Sequence, residues 1–313
     1  MASTRRRGLG RRRPETRAVK VAAPHQQERG GGQFADRPLL GSVMVTVVAA
    51  FVFPVTFIID FKQRVGSSVD GSATVRLIDV AFRMALGAIL VFVLVPLILG
   101  IRRGSGGMGR YLTAMRVGPG ARPRRVLGAT VLASVALVVL IVGLAAGSGV
   151  FNVDFGVLVR DEQWVILFLA LVPGIWEELT FRGAILTSLQ QRYTPRAAVL
   201  ISATLFGLFH LGNFWGSDDT VAVIAGVVAA TFLGIGWGYL VVASGSVLPA
   251  MFLHYIVDVL LDAEIFIDPL ASDDAVAPVL VGIVVLWPVL TILIARNRFG
   301  TLRTVEHSAP AAT

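Results

Sequence analysis

From Val126 to Gly147 the chain reads VLGATVLASVALVVLIVGLAAG, 22 residues without one charged side chain. Wound as an α-helix at 1.5 Å per residue, this run is roughly 33 Å long, enough to cross the ~30 Å hydrocarbon core of a bilayer. Backbone groups in lipid have no water to bond, so a run of this length is satisfied by folding as a helix. Hydropathy marks about eight such spans, near 39–59, 79–101, 126–147, 163–190, 197–213, 220–243, 247–262 and 277–295. The expected fold is therefore an all-α polytopic membrane protein, with a transmembrane helical domain over 38–296. Only 15% of residues are charged, against about 25% in soluble domains. No internal repeat is evident, and GRYLTAMRVGPG (109–120) reads as a short interfacial segment and turn.

The net charge of +8 is a topology signal. With the N-terminus inside, 23 of the 28 Lys and Arg fall on inside segments, and 13 of the 20 acidic residues fall outside. Basic residues set orientation, so the chain is expected in the plasma membrane with both termini cytoplasmic. Residues 1–37 are polar and rich in Arg and Gly (RRRGLGRRR, QQERGGGQ). They lack the apolar core of a signal peptide and read as a disordered basic arm against anionic lipid; no nucleic-acid partner is expected. Residues 297–313 form a cytoplasmic tail. The chain has no cysteine, which excludes disulfides, thiolate metal sites and cysteine nucleophiles.

Ionisable side chains deep in a span are costly and mark candidate sites. Here they are Arg83, Glu177, Glu178, His210, His254 and Asp258, with Arg182 nearer the inner edge. Arg83 follows Asp79 by four residues and reads as a snorkelling pair. The others converge in depth. Glu178 lies 16 residues before Thr194, at the tip of the hairpin between the fourth and fifth spans, and His210 lies 16 after, so both sit roughly 24 Å from the tip. His254 and Asp258 follow the SGS turn (244–246) and reach about 12–20 Å. Glu178 and Arg182, Phe206 and His210, and His254 and Asp258 are i,i+4 pairs sharing a face. Glu177 points about 100° from Glu178, which suggests a different task. Pro173, Gly174 and Pro249 loosen the backbone nearby, as a hydrated cavity requires.

A carboxylate beside a histidine in a water-poor site suits general-base activation of water, and a second histidine suits a developing oxyanion. Two histidines and a carboxylate also suit zinc, with Glu177, His210 and His254 as ligands if the chemistry is metal-dependent. The H-E-x-x-H, G-x-S-x-G and G-x-G-D elements of other hydrolases are absent. GIGWG (234–238) carries the small-xxx-small pair Gly234 and Gly238, read as close helix packing. A non-catalytic membrane scaffold or immunity protein and a proton-coupled transporter using Glu177, His210 and Asp258 are the alternatives to an enzyme.

EELTFRG (177–183), FGLFH (206–210) and HYIVD (254–258) follow E-E-x-x-x-R, F-x-x-x-H and H-x-x-x-N/D in order. This set resembles the CPBP family, the CAAX-prenyl-protease and bacteriocin-processing intramembrane proteases, also called Abi proteins, over about 163–262. The resemblance implies an intramembrane endopeptidase for membrane-embedded or lipidated peptide and protein substrates. It implies Glu177 as base, His210 holding the water, Glu178 and Arg182 as buttress and His254 in the oxyanion region. A divalent metal such as zinc is an open question in the family. Asp258 stands where the eukaryotic members tend to carry asparagine, so it orients His254 or is protonated.

Overall fold

A helix that meets lipid on one side and protein on the other divides its apolar residues by bulk, because its lipid side needs only to be greasy while its protein side must fit. The fourth helix shows the division. Leu127, Val131, Val135 and Val139 form an exposed stripe, whereas Ala129, Ala133, Leu137 and Ile141 are buried. Large exposed aliphatics in a continuous row are foreign to a water-facing surface and ordinary on a lipid-facing one. Several hydroxyls in the spans bond within their own helices. Thr130 donates to the Val126 carbonyl, Ser134 to Thr130 and Thr231 to Val227 at 2.8–2.9 Å, which keeps these three from being unpaired in a medium without water.

The computed structural model describes residues 34, 36–52, 73–100, 107–147, 149, 151–159, 163–215, 219–262, 266–269 and 273–302. The basic arm (1–37) lies almost wholly outside the described residues, as does the tail beyond 302. Nine helices run through the described residues. They are α1 (Pro38–Val52), α2 (Ala73–Ile89, continuing through a π-helical turn Leu90–Leu94 into Val95–Leu99), α3 (Gly107–Ala114) and α4 (Pro123–Gly147). Next come α5 (Ile166–Leu169 and Leu171–Glu178, a π-helical turn Leu179–Ile185, then Leu186–Leu189) and α6 (Pro195–Phe209, extended by a 3₁₀ segment His210–Trp215). Last are α7 (Thr220–Ser244), α8 (Leu248–Asp262) and α9 (Asp273–Phe299). Each expected span has a helix, and the interfacial segment is α3. Four stretches, Arg76–Leu99, Pro123–Leu144, Pro195–Phe214 and Thr220–Ser244, are long and apolar enough to cross a membrane alone, while Pro38–Val52 and Leu248–Leu260 are shorter apolar helices.

Two features depart from the all-α expectation of uninterrupted spans. Strand β1 (Phe151–Val153) pairs antiparallel with β2 (Phe266–Pro269), Val153 opposite Phe266 and Asn152 opposite Ile267. This clip joins the segments after α4 and after α8. The expected fourth span is not one α-helix, because an extra residue enters the turn at Leu179–Ile185. Such π turns turn a carbonyl away from the ordinary ladder, and here another helix uses it. Ser202 Oγ donates to the Phe181 carbonyl at 2.9 Å, as Tyr111 Oη donates to Val91, in the π turn of α2, at 2.5 Å.

Glycines decide how close the helices come. A Cβ at Gly87 would stand 2.9 Å from Trp176 and one at Gly174 would stand 3.2 Å from the Met251 carbonyl. In GIGWG, a Cβ at Gly234 would stand 3.1 Å from Ala203, one at Gly236 3.0 Å from Pro288 and one at Gly238 3.2 Å from Val199. The motif thus packs α7 against both α6 and α9, as its spacing suggested. At the expected cytoplasmic edge Arg116 adopts φ 60°, and its carbonyl accepts Val247 N–H (3.1 Å). Its Nη2 donates to Gln190 Oε1 at 2.5 Å. Burial brings its pKa down to about 10. One residue thereby ties α3 to the ends of α5 and α8.

Candidate active site

Thr194 begins α6 by accepting the Ala197 N–H on its hydroxyl (3.4 Å), with Pro195 in the first turn. The chain therefore folds back there, and α5 and α6 lie antiparallel. Their aromatics interlock, Phe181 against Phe206 and Phe209 with ring centres at 5.1 and 5.5 Å, and Trp176 against Phe209 at 5.6 Å. This brings the residues that were matched in depth from the sequence into one layer.

Glu178 is the hub. Its Oε1 accepts Arg182 Nη1 at 2.8 Å and His254 Nδ1 at 2.9 Å. Neither Glu178 nor Arg182 has any exposed side-chain surface. The i,i+4 spacing was readable, but the π turn places Arg182 on a widened coil, where its guanidinium also lies 3.9 Å over the Phe206 ring and 5.3 Å from Trp237. A charge in a medium that solvates poorly needs such partners. Gly234 leaves room for the guanidinium, since a Cβ there would meet Arg182 Nη2 at 3.0 Å.

Glu177 and Glu178 were expected to point apart, with different tasks, yet both face the same imidazole. Glu178 holds Nδ1 of His254, and Glu177 Oε2 faces Nε2 at 3.9 Å. That is a charge contact and too long for a hydrogen bond. Glu177 Oε2 is buried and makes no hydrogen bond among the described residues. Asp258 Oδ2 stands 3.5 Å from the same Nε2, one helical turn along α8. An ionised carboxylate only accepts, so an N–H on Nδ1 suits Glu178 and one on Nε2 suits Glu177 and Asp258.

His210 is placed beside this cluster but not bonded into it. Its Nδ1 donates to the Phe206 carbonyl at 2.9 Å, which leaves Nε2 as the acceptor of the neutral ring. The Phe206 ring touches both imidazoles, with centres 4.8 Å from His210 and 6.0 Å from His254. Among the described residues no group of three or more His, Asp and Glu stands as a metal ion requires. The conditional zinc set Glu177, His210 and His254 is not assembled about one point. His254 is turned into a hydrogen bond with Glu178 and a stack on Trp237 instead, and no step is derived through a metal.

Trp237 went unrecognised as part of the site. Its indole lies 4.6 Å from the His254 ring at 27°, a stacked pair. The sequence signal was the glycine spacing around it, which announced close packing but not what would be packed.

Residues 160–260, which contain α5 to α7, all but the last two residues of α8 and every site residue named above, match the model of a family described as Rce1-like, type II CAAX prenyl endopeptidase Rce1-like. A comparison with curated proteins found no match.

Proposed function

Given that the chain carries a domain of the Rce1-like type II CAAX prenyl endopeptidase family, a family of peptide hydrolases, we propose that it is an intramembrane endopeptidase in which Glu177 is the general base. The observation that carries this reading is the unequal use of two adjacent buried carboxylates. Glu178 Oε1 takes both the Arg182 guanidinium and His254 Nδ1, while its Oε2 makes no hydrogen bond among the described residues. Glu177 has neither of those bonds, and its Oε2, likewise without a hydrogen bond among the described residues, faces the far nitrogen of the same imidazole.

A water between Glu177 and the substrate carbonyl gives its proton to the carboxylate as its oxygen bonds to the carbonyl carbon. His210 Nε2, the acceptor left by the bond to Phe206, holds the second hydrogen of that water. The addition gives a tetrahedral oxyanion. The carbon–nitrogen bond then breaks, and the leaving amine takes the proton from Glu177. His254 lines the oxyanion side, its plane fixed by Glu178. Asp258 serves by orienting His254 Nε2, since an ionised carboxylate facing the oxyanion would oppose its charge. Peptide hydrolysis within a bilayer needs such preset groups because little bulk water reorganises around the developing charge.

The substrates proposed are membrane-anchored, C-terminally lipidated peptides, in keeping with the family description. The cell membrane, with both termini cytoplasmic, follows from the charge asymmetry, and anionic lipid is the proposed partner of the basic arm. The test compares wild type with Glu177→Gln in detergent on a mass-spectrometric library of lipidated and unlipidated membrane peptides, with and without chelator, after equal thermal melts. Cleavage by wild type alone is expected. Equal cleavage by both proteins would remove Glu177 as the base.

A further inference from the structure

The geometry points to Trp237 as a positioning residue that sets the plane of the His254 imidazole, an inference that rests on the endopeptidase reading for its kinetic consequence but not for its structural one. His254 is held at one edge by Glu178 through Nδ1 (2.9 Å). A single hydrogen bond fixes one atom of a ring and leaves it free to tilt about its side-chain torsion, which for histidine has broad wells. Tilting would swing Nε2 away from Glu177 (3.9 Å) and Asp258 (3.5 Å). The face of Trp237, 4.6 Å away and within 27° of parallel, blocks that motion.

The plate is itself fixed. Trp287 on α9 meets it edge to face at 5.8 Å, and Phe206 tilts against it at 6.2 Å. Gly236 and Gly238 on either side let its helix approach Pro288 and Val199. Trp237 is fully buried, and its indole nitrogen has no hydrogen-bond partner among the described residues. A buried indole N–H normally finds one. The residue thus keeps this place at a cost in hydrogen bonding that a phenylalanine or leucine, though smaller, would not carry. What indole supplies and they do not is the broadest aromatic face, which also attracts a ring bearing positive charge when His254 takes a proton. A neutral packing role accounts for burial but not for near-parallel registry with a site histidine.

The experiment uses full-length protein in detergent micelles, labelled at histidine, with His254 assigned by the spectrum of His254→Asn. A ring stacked on indole has its carbon-bound protons shielded. In wild type the His254 ring protons are expected upfield of those of His210. In Trp237→Leu, at equal thermal melt, that shift is lost, and in Trp237→Phe it is kept in part. An unshifted His254 in wild type, or an unchanged shift in Trp237→Leu, overturns the proposal. Should Trp237→Leu fail to fold, Trp237→Phe decides alone, because phenyl shields less than indole and an equal shift overturns the proposal. On a peptide that wild type cleaves, Trp237→Leu is expected to lose about 10²-fold in kcat, the scale of a 1 Å misplacement, with KM unchanged, and Trp237→Phe to recover most of it. A fall in KM-linked binding alone overturns the positioning role. If no peptide is cleaved, the endopeptidase reading fails while the spectra still decide the role of Trp237.

Discussion

Arg182→Met removes the buried cation and keeps most of its length. The wild-type side chain has no exposed surface and pairs with Glu178 at 2.8 Å. Removing one partner of a buried pair leaves the other uncompensated and costs about 3–5 kcal/mol. The lost contact with Phe206, at 3.9 Å, adds about 2 kcal/mol for a desolvated cation–π pair, of which a methionine sulfur against the same ring restores roughly 1 kcal/mol. Glu178 keeps its bond from His254 Nδ1, which holds the loss to the lower part of the range. The expectation is about 4 kcal/mol, or a melting point lower by on the order of 10 °C for a chain of this size. Glu178→Gln with Arg182→Met removes both charges together, and replacing a buried pair wholesale is close to neutral. The double variant should therefore melt above Arg182→Met, with a coupling of about 2 kcal/mol in the four-protein cycle. Thermal melts of all four proteins in one detergent measure it. A melting point for Arg182→Met within about 2 °C of wild type, or strictly additive single variants, would refute the claim that Glu178 and Arg182 form a coupled buried ion pair.

Glu177→Gln should melt like wild type yet lose about 10²–10⁴-fold in kcat/KM, the usual contribution of a general base, measured on any peptide found to be cleaved. Gly234→Ala puts a Cβ 3.0 Å from Arg182 Nη2 and 3.1 Å from Ala203, and should cost about 1–3 kcal/mol by overpacking. On the same helix Gly226 meets nothing within 4 Å, so Gly226→Ala should stabilise by about 0.5–1 kcal/mol, and the two melts should move in opposite directions. At the expected cytoplasmic edge, Arg116→Ala loses the bond to Gln190 but keeps a side chain at φ 60°. Arg116→Gly loses the same bond and relieves the backbone, so it should be the more stable of the two by about 1 kcal/mol.

What could be read from the sequence was what depends on local spacing. Every helix but α3, read as a short interfacial segment, was announced by an apolar run, and the pairs Asp79–Arg83, Glu178–Arg182 and His254–Asp258 formed because i,i+4 residues share a face. The matched depth of Glu178 and His210 followed from counting residues about Thr194. The rest depends on partners distant in the chain. The π turn at Leu179–Ile185 is stabilised in part by Ser202 on another helix, and no local pattern predicts the extra residue. The β1–β2 clip joins strands of three and four residues separated by more than a hundred positions. Trp237 looked like one more aromatic in a packing motif, because a stacking partner is a property of two helices and the sequence displays one at a time.

The division of labour between Glu177 and Glu178 turns on where the cation stands. A bilayer tolerates Glu178 and Arg182 together because the pair is neutral and its geometry is close. Had Arg182 bonded both carboxylates, neither would be a useful base, since each would be held ionised by a charge that never leaves. The i,i+4 spacing gives the arginine to Glu178 alone. Glu178 then holds His254 by Nδ1 and leaves Nε2 facing Glu177. In the proposed mechanism the carboxylate without a bonded cation takes one proton of a water whose second hydrogen His210 Nε2 accepts. Exchanging the two roles would require moving Arg182 by one position, to 181, where Phe181 now packs on Phe206 and Phe209. In the proposed mechanism the aromatic interlock of α5 with α6 therefore favours Glu177 over Glu178 as the base.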